Sequence, residues 1–345
     1  MIRYIALLTV TLLLTVSCSH GSDSNTAQVA TSIPTLNSPS TLALTPNVEI
    51  VNYSRFSTEA IEKSVALVES KMKSRESRVF VFIYPVGKMK TPETRIRSDY
   101  ADRVFRQHDV LLSKDETESI LGAIKGWFEG DPCLNSENKR LYLSDYRVWP
   151  ERGGDTSTMH GVCQRTRIVA MAITEHMRDH ETTEDFQYLL FHELYHAFQQ
   201  DMNMGGECSR KRSEAGENSN SVWMHEGGAH YFATALAAEI HGKTHYGSQI
   251  LETASLAFER KDGSERLGHV VEPDKWGAAA LSLMVAHNLI TEESILNGSL
   301  FHKCARELEF DHTSEEIQRV KNSWYLIENN NGTFRFKEEA LKRPD

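Results

Sequence analysis

The sequence predicts an α+β domain, in which a small amino-terminal sheet precedes a mostly helical carboxy-terminal half. Two observations favour this class. Continuous apolar runs over 79–84 and 167–173 are typical of buried strands, and helical spacing of apolar residues dominates the second half of the chain. Strands first and helices later indicate an α+β arrangement. We expect one domain over 48–345, with strands within about 48–180 and helices within about 181–345.

The amino-terminal segment has the features of an export signal and a tether. A positive residue precedes an apolar stretch that is too short to span a bilayer. The stretch ends in LTVSC at 14–18, which resembles a bacterial lipobox, although Thr15 stands where an aliphatic residue is usual. We expect a signal over 1–18, lipidation of Cys18, and a flexible, Ser/Thr/Pro-rich tether over 19–47. The domain would then be held in the bacterial cell envelope by a lipid anchor, at the outer membrane or facing the periplasm; a plain secretory signal is the alternative.

Composition narrows the partners and the metal chemistry. The formal net charge of −10 disfavours a nucleic-acid partner. Four cysteines remain after Cys18, and none forms a C-x-x-C pair, so a thiolate metal site is not expected. In an oxidising compartment they allow two disulfides, of which proximity favours Cys133–Cys163 and Cys208–Cys304. Buried free thiols are the alternative.

Helices are predicted at several points along the chain. Four apolar residues between 61 and 72 recur at helical spacing. Ser113 and Glu116 form the pattern of a capping box that opens a second helix. Further helices are expected over 183–202, 222–241, 274–290, 299–309 and 314–328.

The most informative motif is His-Glu-Leu-Tyr-His at 192–196, an H-E-x-x-H pattern within a predicted helix that lacks Pro and Gly. His192 and His196 are four residues apart, so both imidazoles project from one helical face and can reach one metal ion. Glu193 follows His192 directly and is placed to act on a water beside that metal. Two histidines, a third ligand and a water are the set of a catalytic zinc site.

A second motif supplies the third ligand. The segment 223–231 reads Trp-Met-His-Glu-Gly-Gly-Ala-His-Tyr and offers the carboxylate of Glu226. Together the two motifs resemble those of the gluzincin zinc metallopeptidases, the peptidase MA and M1-like group, whose second motif is W-x-x-E-G-x-A-x-Y. The interval between the motifs is longer than usual for this group, because a polar stretch over 205–221 is inserted. Glu217, within that stretch, is the rival third ligand.

The resemblance implies a thermolysin-like architecture with one Zn²⁺ per chain and hydrolysis of a peptide or protein substrate. It implies that Glu193 is the general base and that the strand over 167–173 is the sheet edge beside the active-site helix; an interior strand is the alternative. Gly227 and Gly228 are costly within a helix. They are expected where this helix closely approaches the H-E-x-x-H helix.

The group that stabilises the oxyanion is left unassigned among Trp276, Tyr246, His269 and His230. The M1 exopeptidase signature G-x-M-E-N is absent from the sequence, which favours an endopeptidase. The alternatives are a binding lipoprotein that keeps this fold without proteolysis, and a zinc hydrolase acting on glycosylated or non-peptide substrates. The sequence does not indicate an oligomeric state.

Overall fold

A computed structural model shows a mixed sheet built around three parallel strands: β1 (Val48–Asn52), β2 (Arg78–Met89) and β7 (Thr166–Ile173). The short strand β6 (Ser157–Met159) pairs antiparallel with β7, so the order is β1-β2-β7-β6. The strand β5 (His108–Val110) pairs antiparallel with the far end of β2. The composition of helices and strands is compatible with the predicted α+β class.

The structure describes most of the chain from residue 48 onward. The described ranges are 48–73, 78–91, 95–97, 104–129, 131, 134–159, 166–179, 183–202, 222–260, 267, 273–301 and 314–342. Leu44–Asp345 forms one compact unit. The predictions for Cys18, the four other cysteines, Glu217, His269 and 302–309 lie outside the described residues.

Helices account for most of the remaining chain. The other elements are α1 (Thr58–Lys71), β3 (Arg95–Arg97), β4 (Val104–Arg106), α2 (Lys114–Glu129), α3 (Ser136–Tyr146), α4 (Val148–Arg152), α5 (Glu175–Asp179), α6 (Thr183–Met202), α7 (Val222–Ile240), α8 (Tyr246–Glu259), α9 (Pro273–Ala286), α10 (Glu292–Leu296), a 3₁₀ turn (Ser299–Phe301), α11 (Glu315–Ser323), β8 (Ile327–Asn330), β9 (Thr333–Phe336) and α12 (Glu338–Leu341). Within the described part of the chain, no helix is both long and apolar enough to cross a bilayer.

The sheet is buried on both faces, which explains why β2 and β7 are apolar without alternation. Successive side chains of β2 enter different cores: Phe80 and Phe82 pack with α2, α3 and α4, whereas Val79 and Val81 pack with α1 and α6. The core on the side of α1 and α6 continues into α7, α8 and α9. Helix α6 therefore lies between the sheet and the helical half, which places its residues deep in the domain.

Several sequence predictions are confirmed. Helix α6 has the predicted bounds, and the apolar residues of its packed face, Phe186, Leu190 and Leu194, are at most 2% exposed. The capping box forms, since the Ser113 backbone N–H donates to the Glu116 carboxylate at 2.7 Å and the Glu116 N–H donates to the Ser113 hydroxyl at 3.2 Å.

Three predictions need correction. The strand predicted over 167–173 is interior, because β6 covers its outer side; β6 is the edge strand beside α6. The helix predicted over 274–290 ends at Ala286, and Asn288 takes a left-handed conformation (φ 57°) that terminates it. The helix predicted over 314–328 ends at Ser323, and a β-hairpin follows within the half that was predicted to be helical.

The glycines of the second motif do allow close packing, although Gly227 has a different partner from the one expected. A methyl group on Gly227 would overlap the backbone of Gly277 in α9, and one on Gly277 would overlap the backbone carbonyl of Trp223. Of the two glycines, only Gly228 faces α6, the helix that carries the H-E-x-x-H motif. A methyl group on Gly228 would lie 3.1 Å from the Phe301 ring and 3.4 Å from Tyr195 of α6. The backbones of α7 and α9 are thus in contact at the second motif, which lies within α7. This contact fixes the position of α7 against α9.

This contact can be tested with Gly277→Ala. The added methyl group forces the two helix backbones apart, so we expect the free energy of unfolding to fall by about 1–3 kcal/mol, as is typical of overpacking. Denaturant unfolding followed by circular dichroism measures the change. Gly122→Ala is the matched control, because no atom lies within 4 Å of the methyl group that it adds within α2. Helix propensity predicts a gain of up to about 1 kcal/mol for the control; equal effects of the two variants would contradict the close-contact interpretation.

Candidate metal centre

Three side chains from the two motifs converge on one point. The Nε2 atoms of His192 and His196 lie 3.1 Å apart. An oxygen of the Glu226 carboxylate, Oε2, lies 3.5 Å from the first nitrogen and 3.3 Å from the second. One ligand atom from each residue falls within 4.8 Å of the others, so the group could hold a metal ion.

Antiparallel packing of α6 against α7 brings the ligands together. Gln199 contacts the backbone carbonyl of His225, His196 contacts Glu226, and, about two turns back along α6, Tyr188 contacts His230. The order along one helix is reversed along the other. The Glu226 side chain therefore crosses from α7 to the two imidazoles of α6.

The ring of His196 is oriented by its neighbour one turn on. His196 Nδ1 donates to the Gln199 side-chain oxygen at 3.0 Å, so in the neutral ring the lone pair of Nε2 is directed at the cluster. Gln199 is itself 1% exposed, and its amide donates to the backbone carbonyl of His225 at 3.3 Å. Gln199 was not predicted from the sequence, although a polar residue three positions after His196 on the same helix can reach that ring.

The electrostatics of the cluster show a site that attracts positive charge. Burial lowers the pKa of His196, but the Glu226 carboxylate outweighs burial and, helped by Glu193, raises that pKa to about 9. Burial acts on Glu226 in the opposite sense and raises its pKa, yet the two histidines hold that pKa well below its usual range. Both shifts favour a proton between Glu226 and His196 when no metal is bound. A bound cation would be attracted by the same carboxylate.

Glu193, the predicted general base, lies beside the cluster but is not one of the three converging ligands. Its side chain is 8% exposed, and the Thr158 hydroxyl donates to its carboxylate at 2.6 Å. Thr158 belongs to the edge strand β6. No local sequence pattern singles it out, because it lies 35 residues before Glu193 in a strand of only three residues.

A polar chain runs beside His192 and links three helices. Nδ1 of His230 in α7 shares a hydrogen bond with the Tyr188 hydroxyl of α6, and the same atom lies 3.7 Å from the Asp274 carboxylate of α9. Burial lowers the pKa of His230 to about 4, although Asp274 opposes this. Burial raises the pKa of Asp274, but the positive charges of Lys275, His230 and His192 lower it by more. The net shift of this pKa is therefore downward.

The four residues left open for oxyanion stabilisation are not equivalent in the structure. Trp276 is 1% exposed and packs 5.3 Å from the Trp324 ring in the core. The Tyr246 hydroxyl donates to Glu292 at 2.6 Å. Both ring nitrogens of His230 have protein partners, the second being the Thr253 hydroxyl at 3.4 Å. Tyr246 and His230 are therefore engaged elsewhere. The Trp276 ring lies in the core, where its indole N–H has no hydrogen-bond partner among the described residues. His269 lies outside the described residues.

Comparisons with protein-family models, with curated proteins and with solved structures found no match. The functional interpretation therefore depends on the residues and on their geometry.

Metal binding can be tested by calorimetric titration of the metal-free protein with zinc. We expect one site per chain, and Glu226→Gln should lower the affinity by more than the roughly 10–100-fold typical of losing an outer-shell partner. Glu252→Gln is the matched control, because it makes the same change on an exposed position of the neighbouring helix α8. Equal affinities of the two variants would rule out Glu226 as a ligand.

The polar chain predicts a specific acid sensitivity. The pKa of His230 is about 4 in the folded protein and about 6.5 when unfolded, so the unfolded chain binds a proton first as the pH falls. Its contribution to stability is complete above pH 6.5 and is lost between about 6.5 and 4. We expect His230→Gln in metal-free protein to weaken the fall in unfolding free energy over this range by on the order of 1–3 kcal/mol. His245→Gln, at an exposed histidine, is the control and should retain the wild-type fall. Parallel pH curves for wild type and His230→Gln would refute this assignment.

Proposed function

We propose that this protein is an exported, zinc-dependent endopeptidase that resembles the gluzincins. The observation that carries the proposal is the convergence of His192, His196 and Glu226, with Glu193 beside them. The two histidines and the acidic base come from one helix and the third ligand comes from the next described helix, as the resemblance implies. The mixed sheet with an antiparallel edge strand over this helix is consistent with a thermolysin-like arrangement.

The distances among the ligand atoms fit zinc. Typical zinc–ligand distances of about 2.0–2.1 Å give a tetrahedron whose edges are about 3.3 Å. The three separations among the ligand atoms of His192, His196 and Glu226 are 3.1, 3.3 and 3.5 Å. Nitrogen and oxygen donors without thiolate suit zinc and leave one tetrahedral position for water or substrate. These features support zinc over a harder cation such as Mg²⁺, which prefers oxygen ligands.

Different residues would have different roles in peptide hydrolysis. A bound zinc ion would supply a Lewis acid that polarises the scissile carbonyl and acidifies a nearby water. Glu193 accepts the proton of the attacking water and delivers it to the leaving amine. His192, His196 and Glu226 would hold the metal, and Gln199 keeps the His196 ring aligned.

The substrate would bind beside β6 rather than beside β7. Among the described strands, β6 is the edge of the sheet on the side of α6, and Thr158 links it to Glu193. An extended peptide can add to such an edge through backbone hydrogen bonds, which brings its carbonyl groups past the base. The absence of the exopeptidase signature from the sequence supports cleavage within a chain.

The site of action is part of the same proposal. A lipid on Cys18 and the tether over 19–47 would hold the domain at a bacterial membrane. Protein substrates of the cell envelope would then lie within its reach.

Glu193→Gln tests the proposed mechanism. The amide keeps the shape of the side chain but cannot accept the proton, so we expect zinc content to be unchanged and peptide hydrolysis to fall by about 10²–10⁴-fold. Mass spectrometry of a broad peptide library, with and without a chelator, measures cleavage. Glu252→Gln is the control and should cleave like wild type.

Two outcomes would contradict the proposal. An active Glu193→Gln variant would remove the assigned base. A wild-type protein that binds zinc but cleaves neither bare nor glycosylated peptides would point instead to a binding protein.

A further inference from the structure

Thr158 is the one side chain among those described that joins the edge strand directly to the proposed base. Its hydroxyl lies 2.6 Å from Glu193 Oε2 and 2.8 Å from the backbone carbonyl oxygen of the same residue. Charge-assisted hydrogen bonds from a hydroxyl to a carboxylate are typically about 2.5–2.7 Å long, so the shorter contact is of the strong kind. The hydroxyl is thereby located relative to both the side chain and the helix backbone of Glu193.

Burial gives this contact its importance. Thr158 is 7% exposed and Glu193 is 8% exposed, so bulk water has little access to either. Of the described polar groups, only Thr158 has a hydrogen bond to the Glu193 carboxylate. Removing that donor would leave a buried carboxylate oxygen without a hydrogen bond, a cost that favours another side-chain orientation.

The strand itself is held firmly. Thr158 lies opposite Val169 in the antiparallel pairing of β6 with β7, and Val169 is fully buried in the core below α6. Just before β6, the Ala172 N–H donates to the Thr156 hydroxyl at 2.9 Å. The donor for Glu193 thus comes from a strand that is hydrogen-bonded to the buried strand β7, and sites built on strands are more precise than sites on loops.

We propose that Thr158 is a positioning residue for Glu193. By holding Oε2, its hydroxyl leaves Oε1 to face the water that attacks the substrate. This inference rests on the proposed function, because it assigns Glu193 the role of base. It adds that the edge strand, beside which the peptide would lie, also determines the orientation of the base.

Thr158→Val and Thr158→Ser separate positioning from packing. Valine keeps the volume and removes the donor, whereas serine keeps the donor and removes a methyl group. We expect Thr158→Val to lower kcat by about 10–100-fold with KM and zinc content unchanged, and Thr158→Ser to stay within a few-fold of wild type. Thr117→Val is the control: it makes the same change at a buried threonine (8% exposed) in α2, on the other face of the sheet.

A double-variant cycle adds a second criterion. If Thr158 acts only through Glu193, Thr158→Val should cost nothing further in a Glu193→Gln background. An active wild type with an equally active Thr158→Val variant would overturn the positioning role while leaving the proposed function intact. An additional loss in the Glu193→Gln background would also overturn it.

Crystal structures provide a readout that does not depend on activity. In Thr158→Ser we expect the Glu193 carboxylate to keep the wild-type rotamer; in Thr158→Val we expect it to rotate or to occupy several conformers. An unchanged, singly occupied Glu193 in Thr158→Val would overturn the inference even if no substrate were found. A wild type without peptidase activity would count against the proposed function alone.

Discussion

The packing of α6 against α7 determines where the three converging side chains meet. Each helix carries part of the candidate metal site. The carboxylate of Glu226 reaches His192 and His196 because the two helices run antiparallel in close contact. The sheet supports α6 from one side, and α9 supports α7 from the other through the backbone contact at Gly277. The packing of the core therefore determines the distances among the side chains of His192, His196 and Glu226.

Burying the ionisable side chains of this cluster is costly when no metal is present, and a bound metal ion would offset that cost. Removing charged groups from water is expensive unless each has a partner. Glu226 raises the pKa of His196 to about 9, which favours a proton within the cluster when no metal is bound. In the neighbouring chain of Tyr188, His230 and Asp274, burial instead lowers the pKa of His230 to about 4 and keeps that ring neutral. The same negative charge of Glu226 would favour a divalent cation at the three converging side chains.

Sequence patterns predicted the parts of the site that depend on local spacing. Histidines four apart on one helix must share a face, and α6 has the predicted bounds. Glu226 was identified by its motif, and the structure brings it to the two histidines. The groups that local patterns missed come from distant segments: Thr158 lies in a three-residue strand, whose pairing hides β7 in the sheet interior. No local pattern around Gly277 indicates what it packs against. Its contact with the segment around Gly227 arises from the tertiary packing of two helices that are distant in sequence.

X-ray absorption at the zinc edge, on protein loaded with one equivalent of zinc, gives the number and type of the ligands at the candidate site. We expect two imidazole ligands, from His192 and His196, with oxygen as the remaining ligand atoms and no sulfur. The imidazole signal should fall to one ring in His196→Ala. A sulfur shell, or a spectrum that His196→Ala leaves unchanged, would show that zinc is held by other residues.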